Sequence, residues 1–157
     1  MSGKGFRYAL EPLRLSRSWA VDDLLAELAG QNKRVAEQRD ELNTLSEQLL
    51  QARRDWLAGQ ASGVALALER MALLSRYLQH GTNRQAGMQR QLDALEAERD
   101  DIAERLTAAR RALDAVEEHR DEQQLAFRRE RAGVDLKEAD EHWNVLHGRE
   151  REHDIDG

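Results

Sequence analysis

The fold is decided by residues 21–56, which read VDDLLAELAGQNKRVAEQRDELNTLSEQLLQARRDW. Apolar residues recur at every seventh position of this stretch: Val21, Leu28, Val35, Leu42, Leu49 and Trp56. A companion row, offset by three positions, contains Leu24, Gln31, Gln38, Leu45 and Ala52. Two such rows make the narrow stripe of a coiled coil, which must be buried against a partner helix. The stretch therefore predicts one long helix packed on another.

A second seven-residue repeat occupies the other half of the chain. One of its rows contains Leu92, Leu106, Leu113, Phe127 and Val134, and the other contains Met88, Leu95, Ile102, Ala109 and Val116. Beyond Phe127 the repeat shifts to Ala132, Leu136, Ala139, Trp143 and Leu146. A shift of this kind predicts a stutter or bend near Gly133.

Helix-breaking residues set the predicted boundaries. Pro12 is tolerated in a first helical turn, and two glycines within residues 59–63 mark an end. We therefore expect a single elongated coiled-coil domain over residues 1–157, with these parts: helix 1 about 12–58, tip 59–87, helix 2 about 88–147 and a flexible tail 148–157. The sequence leaves open whether residues 64–80 form a separate tip helix or begin the second helix.

In an antiparallel pair of helices, the numbers of facing residues add up to a constant total, and this total defines the register. A direct reversal at residues 59–63 pairs residues whose numbers add up to about 122, and the apolar stripes then miss each other. A folded tip allows a total of 144, which pairs Trp56 with Met88, Leu49 with Leu95, Leu42 with Ile102, Val35 with Ala109, and Leu28 with Val116. The predicted fold is all-α, an antiparallel two-helix coiled-coil hairpin with a short helical tip.

Composition narrows the function. The chain of 157 residues has seven aromatic residues, no cysteine and a net charge of −6. So few large side chains cannot fill the thick core of an enzyme, and an acidic chain is a poor nucleic-acid binder. No apolar run is long enough for a membrane span or a signal peptide, so we expect a cytoplasmic protein without direct membrane insertion.

Catalytic and ligand-binding motifs are missing from the sequence. The pair Gly3 and Gly5 around Lys4 is too short for a phosphate loop. Glu138 and His142, four residues apart, supply at most half of a metal site. We therefore expect no enzyme activity, no catalytic residue, no cofactor and no metal.

The opening residues 6–13, FRYALEPL, are followed by a charged helix, a glycine-containing break near residue 60, the segment Tyr77-Leu78-Gln79 and a second long helix rich in Arg and Glu. This layout resembles the FliJ/YscO (SctO-like) family, the coiled-coil central stalk proteins of flagellar and injectisome type III secretion systems. The resemblance covers nearly the whole chain, and the opening motif is its most specific part.

The resemblance implies a stalk that inserts into a hexameric secretion ATPase, promotes its assembly and activity, and links it to the export gate on the cytoplasmic face of the secretion apparatus. Export chaperones are further implied partners. Carried onto this chain, it assigns the ATPase contact to Phe6, Tyr8, Leu10, Leu13, Phe127 and Trp143. It assigns the contact with the export gate to Leu74, Tyr77 and Leu78.

Two other functions fit the same sequence. A plain coiled-coil scaffold would have no ATPase partner, and an export chaperone or holdase would bind unfolded clients at the apolar tip. The hairpin predicts an elongated monomer in isolation, whereas an open-helix scaffold predicts a dimer. The sequence leaves open the choice between flagellar and injectisome systems and which end enters the ATPase ring.

Overall fold

The computed structural model describes residues 5–62 and 67–155. These residues form two helices, α1 (Glu11–Ser62) and α2 (Ala67–Ile155), with no strand in either described range. The predicted all-α class with two antiparallel packed helices is confirmed. The chain divides into two units, one of Ala20–Ala108 and one of Met1–Trp19 with Ala109–Gly157. We describe each unit in turn.

The helix ends follow the local sequence. The backbone N–H of Arg14 donates to the carbonyl of Leu10 at 3.0 Å, which closes the first turn of α1 around Pro12. Proline fits there because the first backbone N–H groups of a helix have no partner within the helix. The predicted start near Pro12 is confirmed, and α1 continues without a break through Gly30.

The unit of Ala20–Ala108 is held together by the repeat positions of both helices. Leu49 and Val35 are the most buried of them, with 1% and 3% of their surface exposed. One buried cluster contains Val35, Leu42, Leu45, Leu49, Met88 and Leu92, with Leu78 and Leu95 packed against it. Of the predicted stripe over the whole chain, Val21, Val35, Leu42, Leu49, Met88 and Ile102 are buried, and Leu28, Trp56, Leu95, Ala109 and Val116 are half-buried.

Two glutamines form polar layers within this packing. The side-chain amide of Gln31, which is only 4% exposed, donates to the carbonyl of Leu95 at 3.0 Å and to Glu98 at 3.2 Å. Gln38 donates to the carbonyl of Met88 at 3.3 Å. A buried amide left unpaired would be costly, so these bonds explain how polar residues occupy the stripe.

The predicted pairing of the helices is wrong. Arg39 contacts Glu96 at 2.6 Å, Arg105 contacts Glu27 at 3.0 Å, and Gln85 donates to Ser46 at 2.9 Å. The residue numbers of facing pairs therefore add up to about 130, two heptads below the predicted total of 144. A slip of two heptads keeps the apolar rows facing each other, so periodicity alone does not distinguish the two registers.

The predicted tip over residues 59–87 is also corrected. Helix α1 continues to Ser62 and α2 begins at Ala67, so residues 67–87 are part of α2 and form no separate tip helix; residues 63–66 lie outside the described ranges. Within this part of α2, Leu78 packs on the buried cluster. At its other end α2 runs without interruption through Gly133 and Gly148 to Ile155, so residues 148–155 of the predicted flexible tail are helical; residues 156–157 lie outside the described ranges.

Candidate interaction surface

The N-terminal segment, residues 5–10, lies against α2 within the unit of Met1–Trp19 and Ala109–Gly157. The rings of Phe6 and Phe127 have centroids 5.7 Å apart and are tilted by 51°. The hydroxyl oxygen of Tyr8 lies 2.6 Å from Nδ1 of His119 and donates to the carbonyl of Val116 at 3.4 Å. Two aromatic side chains therefore anchor this segment to the surface of α2.

A local turn directs these two aromatic residues toward α2. The backbone N–H of Glu11 donates to the carbonyl of Tyr8 at 3.2 Å, immediately before the first helical turn. The turn lies at Ala9 and Leu10, and Pro12, whose φ is fixed near −65°, fits the first turn of the helix that begins at Glu11. The chain thus changes direction between Tyr8 and Pro12, and Phe6 and Tyr8 reach α2 from outside the helix.

An ion pair lies beside these aromatic residues. Nε of Arg14 donates to both carboxylate oxygens of Glu11 at 2.9 Å, and its Nη2 contacts the same carboxylate. The hydrogen bond from Arg14 lowers the pKa of Glu11, and the charges of Arg14 and Arg120 act in the same direction. The reciprocal bond raises the pKa of Arg14, whose Nη1 also lies 4.0 Å from Glu117. A shallow groove beside this pair is lined by Phe6, Arg7, Tyr8, Glu11, Arg14, Arg120 and Gln124.

Beyond Phe127, α2 carries a long exposed stretch that we call the α2 extension, residues 128–153. Every one of these residues is exposed. Large apolar side chains are exposed among them, at Val134, Leu136, Trp143, Val145 and Leu146. The ring of Trp143 stacks on His147 at 3.8 Å, one helical turn away. Leu136, Trp143 and Leu146 have the spacing of one helical side, and exposed apolar side chains grouped in this way are typical of a surface that binds another protein.

The structure brings together only part of the set that the resemblance assigns to an ATPase contact. The ring of Phe6 contacts that of Phe127, and the ring of Tyr8 contacts that of His119. Leu10 and Leu13, on either side of the first turn of α1, are exposed. Trp143 is exposed further along α2, in the α2 extension.

A second exposed apolar surface lies near the ends of the two helices at residues 62 and 67. It contains Leu57, Leu68, Leu73 and Tyr77. Of the three residues that the resemblance assigns to the export gate, Tyr77 is exposed, Leu74 is half-buried, and Leu78 packs against the buried cluster. Tyr77 is therefore the member of that set with the most surface free for a partner.

Sequence reasoning missed His119 as the partner of Tyr8. The predicted register placed residue 8 opposite residue 136, whereas the observed contact is with residue 119. The signal that could have found the register is charge. A total of 144 places Arg39 opposite Arg105 and Glu27 opposite Glu117, whereas in the structure Arg39 contacts Glu96 and Arg105 contacts Glu27. Gly81 was missed as well; it is buried because Leu49 packs directly on its Cα.

Within residues 5–62 and 67–155, no three His, Asp or Glu side chains are grouped so that they could hold a metal ion. Neither described helix contains a segment with the length and apolar character needed to cross a membrane.

Fold and surface together define a class: an all-α protein whose antiparallel helices pack through a heptad stripe and whose longer helix exposes apolar side chains. Searches of protein-family models, curated proteins and solved structures found no match to this chain.

Proposed function

We propose that this chain is the central stalk of a type III secretion ATPase complex, of the FliJ/YscO kind. In this proposal it works in the cytoplasm, where it inserts into the hexameric ATPase, promotes the assembly and activity of the ring, and links the ring to the export gate. It needs no cofactor or metal and performs no catalysis itself.

The observation that carries the proposal is that the residues of the opening motif and the α2 extension belong to one unit. Phe6 and Tyr8 use their rings to anchor the N-terminal segment on α2, while Leu10 and Leu13 remain exposed. Trp143 and Leu136 are exposed on the same unit. This combination supports a partner that contacts both the start of the chain and the later part of α2.

The helical pair also has a property that a stalk requires. Two unlike helices have no six-fold symmetry, so inside a six-membered ring they must contact the six subunits unequally. Unequal contacts favour ATP binding or hydrolysis at some subunits over others, which is a coupling free energy between two sites. In this proposal the stalk therefore stimulates the ATPase by shifting populations of subunit states.

The test uses the purified full chain and the secretion ATPase of the same organism. We expect the chain to raise the rate of ATP hydrolysis and the fraction of hexamer, measured by phosphate release and analytical ultracentrifugation. Trp143→Ala should reduce both effects, since it removes a large exposed side chain at the proposed contact. Val134→Ala is the matched control, because Val134 is exposed on the same helix but outside the shifted repeat. If adding the chain changes neither the rate of ATP hydrolysis nor the fraction of hexamer, the proposal is contradicted.

The apolar surface near the ends of the two helices supports the proposed contact with the export gate. Leu73 is 66% exposed, and Tyr77, one helical turn further along α2, is exposed as well. We expect Leu73→Ser with Tyr77→Ser to weaken binding to the cytoplasmic part of the gate without unfolding the chain. Leu78 is unsuitable for this test, because its loss would disturb the buried cluster.

The same surface supports a second candidate function, an export chaperone or holdase. Exposed leucines can bind apolar segments of unfolded clients at about 25 cal/mol per Å² of buried area. The chain would then suppress aggregation of an unfolded export substrate, and the double serine variant would lose that effect. Suppression of aggregation without any effect on the ATPase would favour this candidate over the stalk.

A further inference from the structure

A stripe on the α2 extension has the spacing of a helix–helix contact. It consists of Ala132, Leu136, Ala139, Trp143 and Leu146, which are alternately four and three residues apart. All five are exposed, including 68% of Leu136 and 58% of Trp143. The same spacing in residues 35–49 is buried against α2, so the extension stripe has the pattern of a helix contact that the described residues of its unit leave unfilled.

We propose that this extension stripe binds the same stripe of a second copy of this chain, with the two helices antiparallel. The first reason is the size of the side chains. When residues whose numbers add up to 282 face each other, Leu136 packs on Leu146 of the second copy and Ala139 packs on Trp143 of the second copy. Each of these layers occurs twice, and a small residue lies opposite the largest one.

A parallel pair in register fits less well. It would place Trp143 against Trp143 and Ala139 against Ala139, which overfills one layer and leaves a void in the next. Interfaces pack to the density of protein interiors, and both overfilling and voids are destabilising. The alternation of Leu, Ala, Trp and Leu along the stripe therefore favours the antiparallel arrangement.

The second reason is charge. Asp135 and Arg149 flank the stripe on one side, and both are exposed. The antiparallel pairing places Asp135 beside Arg149 of the second copy, and this contact also occurs twice. A parallel pairing would instead place Asp135 beside Asp140 of the second copy, a like-charge contact.

One contact at the two-fold axis is unfavourable. On the other side of the stripe, Asp140 faces Asp140 of the second copy, while His142 faces its counterpart on the first side. Two opposite-charge contacts therefore stand against one repulsion between carboxylates. This balance gives a distinctive expectation: Asp140→Asn should strengthen the association.

The interface has four apolar layers, fewer than those of a standard interface of about 1,600 Å². We therefore expect a reversible dimer that dissociates on dilution. The association goes beyond the proposed stalk function and does not depend on it. Since both would use Trp143, a partner bound at this face would compete with the second copy.

Sedimentation equilibrium of the full chain at pH 8 tests the association. We expect a concentration-dependent monomer–dimer equilibrium that Trp143→Ala weakens by about a hundredfold, because two tryptophans are lost from each dimer. Val134→Ala should change the dissociation constant by less than about threefold. A chain that stays monomeric at millimolar concentration, or an equal effect of both variants, would overturn the proposal.

Two cysteine variants test the relative orientation of the two helices. Because the chain has no native cysteine, any disulfide must join the introduced residues. Under mild oxidation, Asp135→Cys mixed with Arg149→Cys should form a mixed disulfide, whereas neither variant alone should. Residues 135 and 149 lie about 21 Å apart along one helix at 1.5 Å per residue, so the antiparallel and parallel arrangements give different products. Efficient formation of a mixed disulfide between Asp135→Cys and Asp140→Cys, the two positions that a parallel pair brings together, would overturn the proposal.

Charge reversal provides an independent check. Asp135→Arg and Arg149→Asp should each weaken the dimer about tenfold, since each creates two like-charge contacts. The double variant should restore the wild-type dissociation constant. If the dimer of the double variant is weakened by the combined effect of the two single variants, the assigned pairing of Asp135 with Arg149 is overturned.

Discussion

Two parts of α2 carry heptad repeats of similar composition and have opposite environments. Over residues 78–106, the repeat positions Met88, Leu92, Ile102 and Leu106 are buried against α1. Over residues 128–153, the positions Leu136, Trp143 and Leu146 are exposed. A heptad repeat therefore indicates that a helix is suited to a partner, and says nothing about whether that partner lies in the same chain.

The helix lengths explain the difference. Helix α1 has 52 residues and α2 has 89. In the unit that contains both the N-terminal segment and the later part of α2, the contact at Phe127 is made by Phe6, which precedes α1. Residues 128–153 are exposed, so the described part of the chain leaves the stripe of the α2 extension uncovered.

The largest expected effect is a contrast between two leucines. Leu49 is 1% exposed, and Leu49→Ala should lower the free energy of unfolding by about 2–5 kcal/mol, because a cavity forms in the buried cluster. Leu136→Ala should change it by about 0.5 kcal/mol or less. Urea unfolding at low protein concentration measures both values, and similar losses would mean that the α2 extension is packed in solution.

Glycine replacements should separate a packed site from an open one. A Cβ added at Gly81 would collide with Cδ2 of Leu49 and lie only 3.2 Å from its Cγ, so Gly81→Ala should destabilise the chain by about 1–3 kcal/mol. At Gly30 a Cβ meets nothing within 4 Å, and Gly30→Ala should stabilise it by about 0.5–1 kcal/mol. A stabilising Gly81→Ala in thermal unfolding would argue against the observed register.

A smaller and more local effect is expected at the N-terminal segment. Tyr8→Phe removes the hydroxyl that contacts His119 and Val116, which should cost about 0.5–1.5 kcal/mol. Hydrogen exchange should become faster at the amides of Glu11 and Arg14 and stay unchanged around Leu49. Tyr77→Phe, at an exposed tyrosine, is the matched control and should leave both regions unaltered.

The smallest effect concerns pH. Arg14 holds the pKa of Glu11 below its ordinary value of 4.5 by a hydrogen bond. A lowered carboxyl pKa stabilises the folded state above the unfolded-state pKa, and this contribution is lost as pH falls through the folded-state value. Glu11→Gln should therefore flatten the pH dependence of unfolding below about pH 4.5. If the stability of Glu11→Gln depends on acidic pH in the same way as that of the wild type, the pair with Arg14 contributes nothing in solution.

Much of the fold could be predicted because it rests on local pattern. The start of α1 follows from Pro12, and the facing rows follow from the heptad spacing of residues such as Leu42 and Met88. The register could not be predicted in the same way, because a slip of two heptads leaves every apolar row facing another. The predicted register places Tyr8 opposite Leu136 in the α2 extension. It therefore misses the contact between Tyr8 and His119 that anchors the N-terminal segment.

The sequence by itself determined that the chain is helical, that each helix has one apolar stripe, and that the stripes run antiparallel in matching phase. These properties depend on residue spacing, which a helix converts directly into a face. Only the tertiary structure decided which heptads meet, because that choice depends on where α1 stops, where α2 begins, and how Leu49 packs on Gly81. Those contacts join residues far apart in the chain, and they also decided that the stripe of residues 132–146 would be left exposed.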